Sequence, residues 1–370
     1  YEAGDQYGAI RSEALHDFLR MVATVGGDSL CLVTSRAPLI DLVAYTTFSQ
    51  HDVTRLCEED GRALLQSVGV KGEDAALDKI VTRWDGHALT LSLVGSLLHD
   101  LYKGDANRLD AVSAPTANES RYERVKRVLR RYDDQLSTAE RAFLLIFSAF
   151  RRPVHEESFE QIFRHRNVTS KLKLPFSKPT LNAPLLELTD QAFAELRDGL
   201  IQKRLIRLVT EQDRSAAYSL HPLVSAYYKE RLNSQPEEGA LHHRIADYYE
   251  QGAHENFQAF QQKQRVTGRY APLTLNDLAP FIEVVHHRCA AGAYERAFAA
   301  LWRYLAQGNR WVLMHVLGAY ETTIAVVSDF FPNGNWDCDP HLKTGEAQST
   351  MLGVGGLCHM NLGLGQEAVT

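Results

Sequence analysis

The chain has 370 residues, of which 45% are apolar and 23% charged, with a net charge of −6. That balance fits globular domains, at about 100–200 residues each, and the acidic excess argues against a general nucleic-acid coat. No apolar run approaches the roughly 18–20 residues that a membrane span needs. Five cysteines, Cys31, Cys57, Cys289, Cys338 and Cys358, form no C-x-x-C pair and suit a reducing cytoplasm better than a disulfide framework. The sequence opens at Tyr1 without an initiator Met and stops at Thr370 partway through a helical pattern. It therefore reads as an internal piece of a longer protein.

Residues 12–25 place Leu15, Phe18, Leu19 and Val22 at i, i+3, i+4 and i+7, which predicts a helix with Ser12 as N-cap. Gly26-Gly27 ends it, and the apolar run Leu30–Val33 follows. A helix, a tight turn and a continuous apolar run predict a buried parallel strand, the end of an α/β layer. Helical spacing then takes over. One helix is expected from Glu58 to Val68, a second on the stripe Leu77, Ile80, Val81 and Trp84, and a third from Ala88 to Tyr102. The small polar stretch 104–120 is a linker or loop.

A basic helix opens the next region at Arg121–Arg131. Its mixture with Glu123, Asp133 and Asp134 fits a solvated face better than a nucleic-acid contact. Ser137 and Glu140 have capping-box spacing ahead of a strongly apolar helix. A helix is expected over Glu156–Arg164, another over 189–204, and then strand, turn and strand leading into the helix HPLVSAYYKERL. Three helices and a hairpin in this order describe a winged helix-turn-helix. The would-be recognition helix carries Asp190, Glu195 and Asp198 against Arg197, Lys203 and Arg204. Balanced charge suits packing better than phosphate contact.

Residues 240–370 are helical again. Val285, Gly292, Tyr294 and Ala297 fall on a tetratricopeptide-type frame, and Leu352, Gly356, Leu362, Gly363 and Ala368 fall on the same frame. The stretch between them is loop-like. Cys338 and His341 make one C-x-x-H pair, whereas structural zinc usually takes two tight pairs, so no metal site is assigned. No Ser-His-Asp or Cys-His arrangement marks a nucleophilic enzyme.

The order of elements and three short motifs resemble the signal-transducing ATPases with numerous domains, specifically their NB-ARC-like bacterial members. The segment CLVTSR looks like that family's sensor-1 strand, and the resemblance implies that Arg36 approaches a nucleotide γ-phosphate. GHAL, with Gly86 and Ala88, resembles the Gly-x-Pro-Leu motif that packs on adenine. LHPL resembles the Met-His-Asp motif, which implies that His221 approaches the β-phosphate of ADP. Two departures stand out: Ala88 replaces the usual proline, and Pro222 replaces an aspartate.

The resemblance implies a mainly α chain in four parts. These are the end of an α/β nucleotide-binding domain (1–42), a helical domain (43–118), a winged-helix domain (119–235) and tetratricopeptide-like repeats (238–370). It implies ADP or ATP with Mg in the full-length parent, a protein or other ligand at the repeats, and self-association in the active state. No G-x-x-x-x-G-K-[ST] occurs and the chain holds no Gly-Lys dipeptide. Phosphoryl transfer depends on that loop, its Lys and the metal. These residues alone are therefore expected neither to hydrolyse ATP nor to hold a nucleotide tightly. Two alternatives compete with a nucleotide-dependent switch: a winged-helix transcription regulator that contacts DNA, and a helical-repeat interaction scaffold with no nucleotide dependence.

Overall fold

The computed structural model describes residues 9–10, 13–25, 29–35, 37–51, 53, 55–111, 120–164, 180–210, 216–267 and 274–363. The chain divides into two compact units, Thr54–Tyr248 and a second made of Tyr1–Val53 with Tyr249–Thr370. Both are dominated by helices.

In the N-terminal stretch α1 spans Glu13–Val25, and Leu19 is its buried contact with Leu39 and Leu42. The run after it corrects an expectation. Residues 29–35 form no strand, and Leu30 and Leu32 are 92% and 86% exposed. A buried strand needs a neighbour to satisfy its backbone and to cover its faces. Among the described residues no strand pairs with Leu30–Val33. Ser12 and Arg36 lie outside the described residues.

The 54–248 unit begins with α2 (Glu58–Ser67), α3 (Asp74–Arg83) and α4 (Ala88–Tyr102). Leu77, Ile80, Val81 and Trp84 are all buried, as their spacing predicts. So are eight residues of α4, which packs between α2 and α5 (Arg121–Asp133). The basic side of α5 is tied to acids of the same unit: Arg124 lies 3.4 Å from Asp85, and Lys126 lies 2.9 Å from Glu230.

Next, α6 (Thr138–Ser148) starts on the expected box. Ser137 Oγ accepts the Glu140 N–H at 3.2 Å, and Glu140 accepts the Ser137 N–H at 2.8 Å. Strand β1 (Val154–His155) follows, and the helix expected over Glu156–Arg164 is present over 157–163, with a π-helical turn at Phe159–Phe163. Then come α7 (Ala183–Leu186), α8 (Asp190–Gln202), β2 (Ile206–Thr210), β3 (Ala216–Leu220) and α9 (Pro222–Leu232). The three strands form an antiparallel sheet of order β1-β3-β2. Phe143 sits at the centre of this core, with the rings of Phe147, Phe159, Phe163 and Phe193 at 4.8–5.8 Å. Arg164 is 1% exposed, and its guanidinium is held by Glu160, Asp190 and the Leu188 carbonyl.

A long helix, α10 (Glu238–Thr267), leads to α11 (Leu275–Ala290) and α12 (Tyr294–Ala300). Gly292 turns the chain between the last two with φ +71°, and Val285 and Ala297 are buried, as the repeat frame expects. The chain then departs from a regular helix: π-helical turns at Leu301–Ala306 and Val312–Val316 flank a 3-10 turn at Gly308–Arg310. Two helices, α13 (Tyr320–Ser328) and α14 (Gly345–Asn361), complete the unit. Between them the loop folds Trp336 against Phe331 at 4.4 Å. A Cβ at Gly355 would come within 2.4 Å of two Trp336 ring carbons, so only glycine lets this indole approach α14 so closely. Gly363 repeats the Gly292 conformation at φ +74°; Ala368 lies outside the described residues.

Candidate functional site

The GHAL and LHPL segments are 134 residues apart in sequence, yet both become helix starts in the same unit. His87 is the N-cap of α4 and His221 the N-cap of α9. His221 lies within electrostatic reach of His87 and Arg207, which brings the two helix N-termini together.

Each piece has a local cause. Asp85 and Gly86 both take left-handed backbone, φ +58° and +61°, which stops α3 and sets the chain for α4. The Cβ position of Gly86 is blocked by the Leu56 carbonyl at 2.4 Å, and the Gly86 carbonyl accepts the Leu56 N–H at 2.9 Å. Asp85 is ion-paired with Arg55 at 2.5 Å and with Arg124 at 3.4 Å, which pins the turn to α5. His87 Nδ1 lies 2.7 Å from the buried Thr90 hydroxyl. On the other side, the β2–β3 hairpin pairs Arg207 with Ser219, and the Arg207 Nε–H donates to Ser219 Oγ at 3.0 Å. That register sets Arg207 beside the strand end from which His221 emerges.

His221 is half-buried, and its Nδ1 accepts the Leu223 N–H at 3.2 Å. An accepting Nδ1 puts the proton of the neutral ring on Nε2. Burial pushes the pKa below its ordinary 6.5, and Arg207 and His87 push the same way. Near neutral pH the ring is therefore an uncharged donor through Nε2.

The two helix ends offer different groups. In α9, Pro222 has no N–H, Leu223 donates to His221 Nδ1, and Val224 and Ser225 donate to the His221 carbonyl. The first turn of α9 is thus already satisfied. In α4 the N–H groups of Ala88, Leu89 and Thr90 receive no side-chain cap, and Ala88 is exposed. A proline at position 88 would have no N–H to give; the alanine has one. The N–H groups at the start of α4, the Arg207 guanidinium and an Nε2–H donor on His221 are groups suited to an anion.

Of the residues expected at a site, Gly86 and Ala88 flank His87 at the start of α4, His221 starts α9, and Arg36 lies outside the described residues. His87 and Arg207 were not expected. His87 could have been found from its place before an apolar helical run, but nothing local in sequence ties Arg207 to either motif. No group of three or more His, Cys, Asp or Glu comes together as a metal site among the described residues. No helix among them is long and apolar enough to cross a membrane.

No protein-family model matches the chain. It is 25% identical over 244 residues to an uncharacterized WD repeat-containing protein of Nostoc, a match that spans 63% of this chain and 17% of that protein. Among solved structures it is similar to a Signal Transduction ATPase with Numerous Domains from Pyrococcus horikoshii that has a tetratricopeptide repeat sensor. That match has 14% identity and a TM-score of 0.43, over 85% of this chain and 34% of the other. The chain spans well under half the length of either protein.

Proposed function

We propose that the junction of α4 and α9 binds the phosphates of an adenine nucleotide, and that the chain is part of a nucleotide-dependent signalling switch whose helical repeats take a partner. The observation that carries this reading is that His221, at the N-terminus of α9, feels the charge of Arg207 on β2 and of His87 at the N-terminus of α4. In this reading Ala88 and Leu89 give backbone N–H groups to phosphate oxygens, His221 donates through Nε2, and Arg207 supplies charge. The helices and hairpin of 138–232 act as a winged-helix module that closes on the nucleotide. Mg-ATP and ADP would exchange in the longer protein, and the state with ATP would self-associate. A switch of this kind requires the nucleotide to bind its two states with different affinity.

A second reading has its own observation. His221 already caps α9, so the histidines can be purely structural and the chain a helical scaffold. Replacing His221 by Asn separates the two. Asn is a good N-cap and keeps an acceptor for Leu223, but it removes the imidazole Nε2–H. The nucleotide reading expects fluorescent ADP to bind weakly to the wild-type chain. His221→Asn should then lose about tenfold in affinity while keeping its thermal stability. Equal ADP affinity in the two proteins would leave only the scaffold.

A further inference from the structure

Among the described residues, irregular helical turns follow one another over Leu301–Val316, in the repeats. Gln307, Gly308 and Trp311 have φ of +49°, +71° and +45° within five residues, between two π-helical turns. A left-handed tryptophan is rare because its Cβ crowds the backbone. Such strain persists only where the surroundings hold it in place, and it concentrates at sites of recognition.

The strain builds a surface of rings. Phe298 and Trp302, four residues apart and so on one helix face, stack with centroids 6.2 Å apart and planes at 23°. Trp311 stands perpendicular to Trp302, at 5.9 Å and 88°. Two indoles thus form a floor and a wall. Trp302 is 38% exposed, and Val316, the last residue of the second π turn, is exposed as well. The left-handed Trp311 is what turns the chain so that its indole can form the wall; its carbonyl then accepts from Met314 and His315 at 3.0 and 2.8 Å.

Charge selects the occupant. Between Ala293 and Ala319 the sequence holds three arginines, Arg296, Arg303 and Arg310, against one carboxylate, Glu295, in a chain whose net charge is −6. All three arginines are exposed; Arg303 and Arg310 are sequence neighbours of Trp302 and Trp311, and the Arg303 guanidinium lies over the Tyr304 ring at 5.1 Å. From this arrangement we infer that Phe298, Trp302 and Trp311 form a docking surface for an acidic, proline-containing extended peptide of a partner protein. A pyrrolidine ring packs on an indole face with little entropy to lose, and flanking carboxylates meet the arginines. Three cations on an acidic chain suit a short acidic peptide better than a polyphosphate strand.

The inference does not involve the phosphate junction; it rests on the reading of the repeats as partner-binding, and the test separates the two. Indole fluorescence of the whole chain is followed while three probes are added: a peptide alternating Asp and Pro, the same peptide with Lys for Asp, and oligothymidylate. The Asp-Pro peptide should bind with a spectral shift, more weakly as salt rises, and the Lys version should not bind. Trp302→Ala and Arg303→Glu should each weaken binding by about tenfold or more. Arg303 is exposed, so its variant tests the surface even if Trp302→Ala fails to fold. Asp-Pro binding that survives both substitutions would overturn the surface and leave partner binding elsewhere on the repeats standing. Failure of every peptide would count against both, and tighter binding of oligothymidylate would overturn the choice of partner.

Discussion

Residues 55–232 and residues 274–363 are both helical, but they start their helices differently. In the first region α2, α5, α6, α8 and α9 each begin at a side chain that accepts a backbone N–H: Cys57, Ser120, Ser137, Thr189 and His221. In the second, Thr274 and Thr344 cap α11 and α14, but α12 and α13 begin at Ala293 and Ala319 with no side-chain cap. Each region holds three left-handed non-glycine residues among those described: Asp85, Lys103 and Arg204 stand singly in the first, whereas Gln307 and Trp311 of the second fall within five residues, with Asn333 further on. In the first region side chains cap five of the eight α-helix starts, and α3, α4 and α7 begin without one. In the second, two of the four α-helices begin without a cap, and the irregular backbone is gathered around the surface rings of Trp302 and Trp311.

Three substitution experiments test that contrast, the largest effect first. If the cores are equivalent, Phe143→Ala and Phe281→Ala should each cost about 3–5 kcal/mol, since each removes a fully buried ring. Urea denaturation measures both; a cost several-fold smaller in the repeats would mean that the contrast extends to the packing itself. Caps come next. Ser137→Ala should cost about 1 kcal/mol, whereas Ala293→Ser should gain up to about 1 kcal/mol because α12 has no cap to lose. Equal and opposite shifts in the melting temperature would sharpen the comparison, and a loss from both would contradict it.

The smallest effect is a pH dependence. The folded state lowers the His221 pKa below 6.5, first through burial and then through Arg207 and His87. The unfolded chain therefore binds the extra proton more readily. The contribution of His221 is complete above pH 6.5 and is lost as the pH falls through the lowered folded value. Denaturation midpoints of wild type should decline over this acid range more steeply than those of His221→Asn. Identical slopes would show that His221 titrates as an exposed imidazole.

How much the sequence disclosed follows the same division. The bounds Ala88–Tyr102, the capping box at Ser137 and the hairpin before Pro222 were legible because caps, glycine stops and strand alternation are local signals. The run Leu30–Val33 carried the pattern of a buried strand, but pattern cannot supply the neighbour that a strand needs. The helix expected near 156–164 is present over 157–163, with a π-helical turn at Phe159–Phe163 where both rings join the cluster around Phe143. At the candidate site the two motifs were visible and their meeting was not. Arg207 reaches it through the β2–β3 register, and His87 through the α3–α4 turn set by Asp85 and Gly86. The strained turn at Trp311 had no sequence signal, since tryptophan is disfavoured in that conformation.

The most direct test of the phosphate junction is to watch its imidazoles. In a chain labelled with ¹⁵N-histidine, ADP titrated to millimolar concentration should shift the ring signals of both His87 and His221, assigned by His87→Gln and His221→Asn. The same resonances should show the His221 pKa rising toward its ordinary value as the bound anion offsets Arg207 and His87. Ring signals at positions 87 and 221 that stay fixed while ADP is raised, with an unchanged His221 titration, would contradict the account.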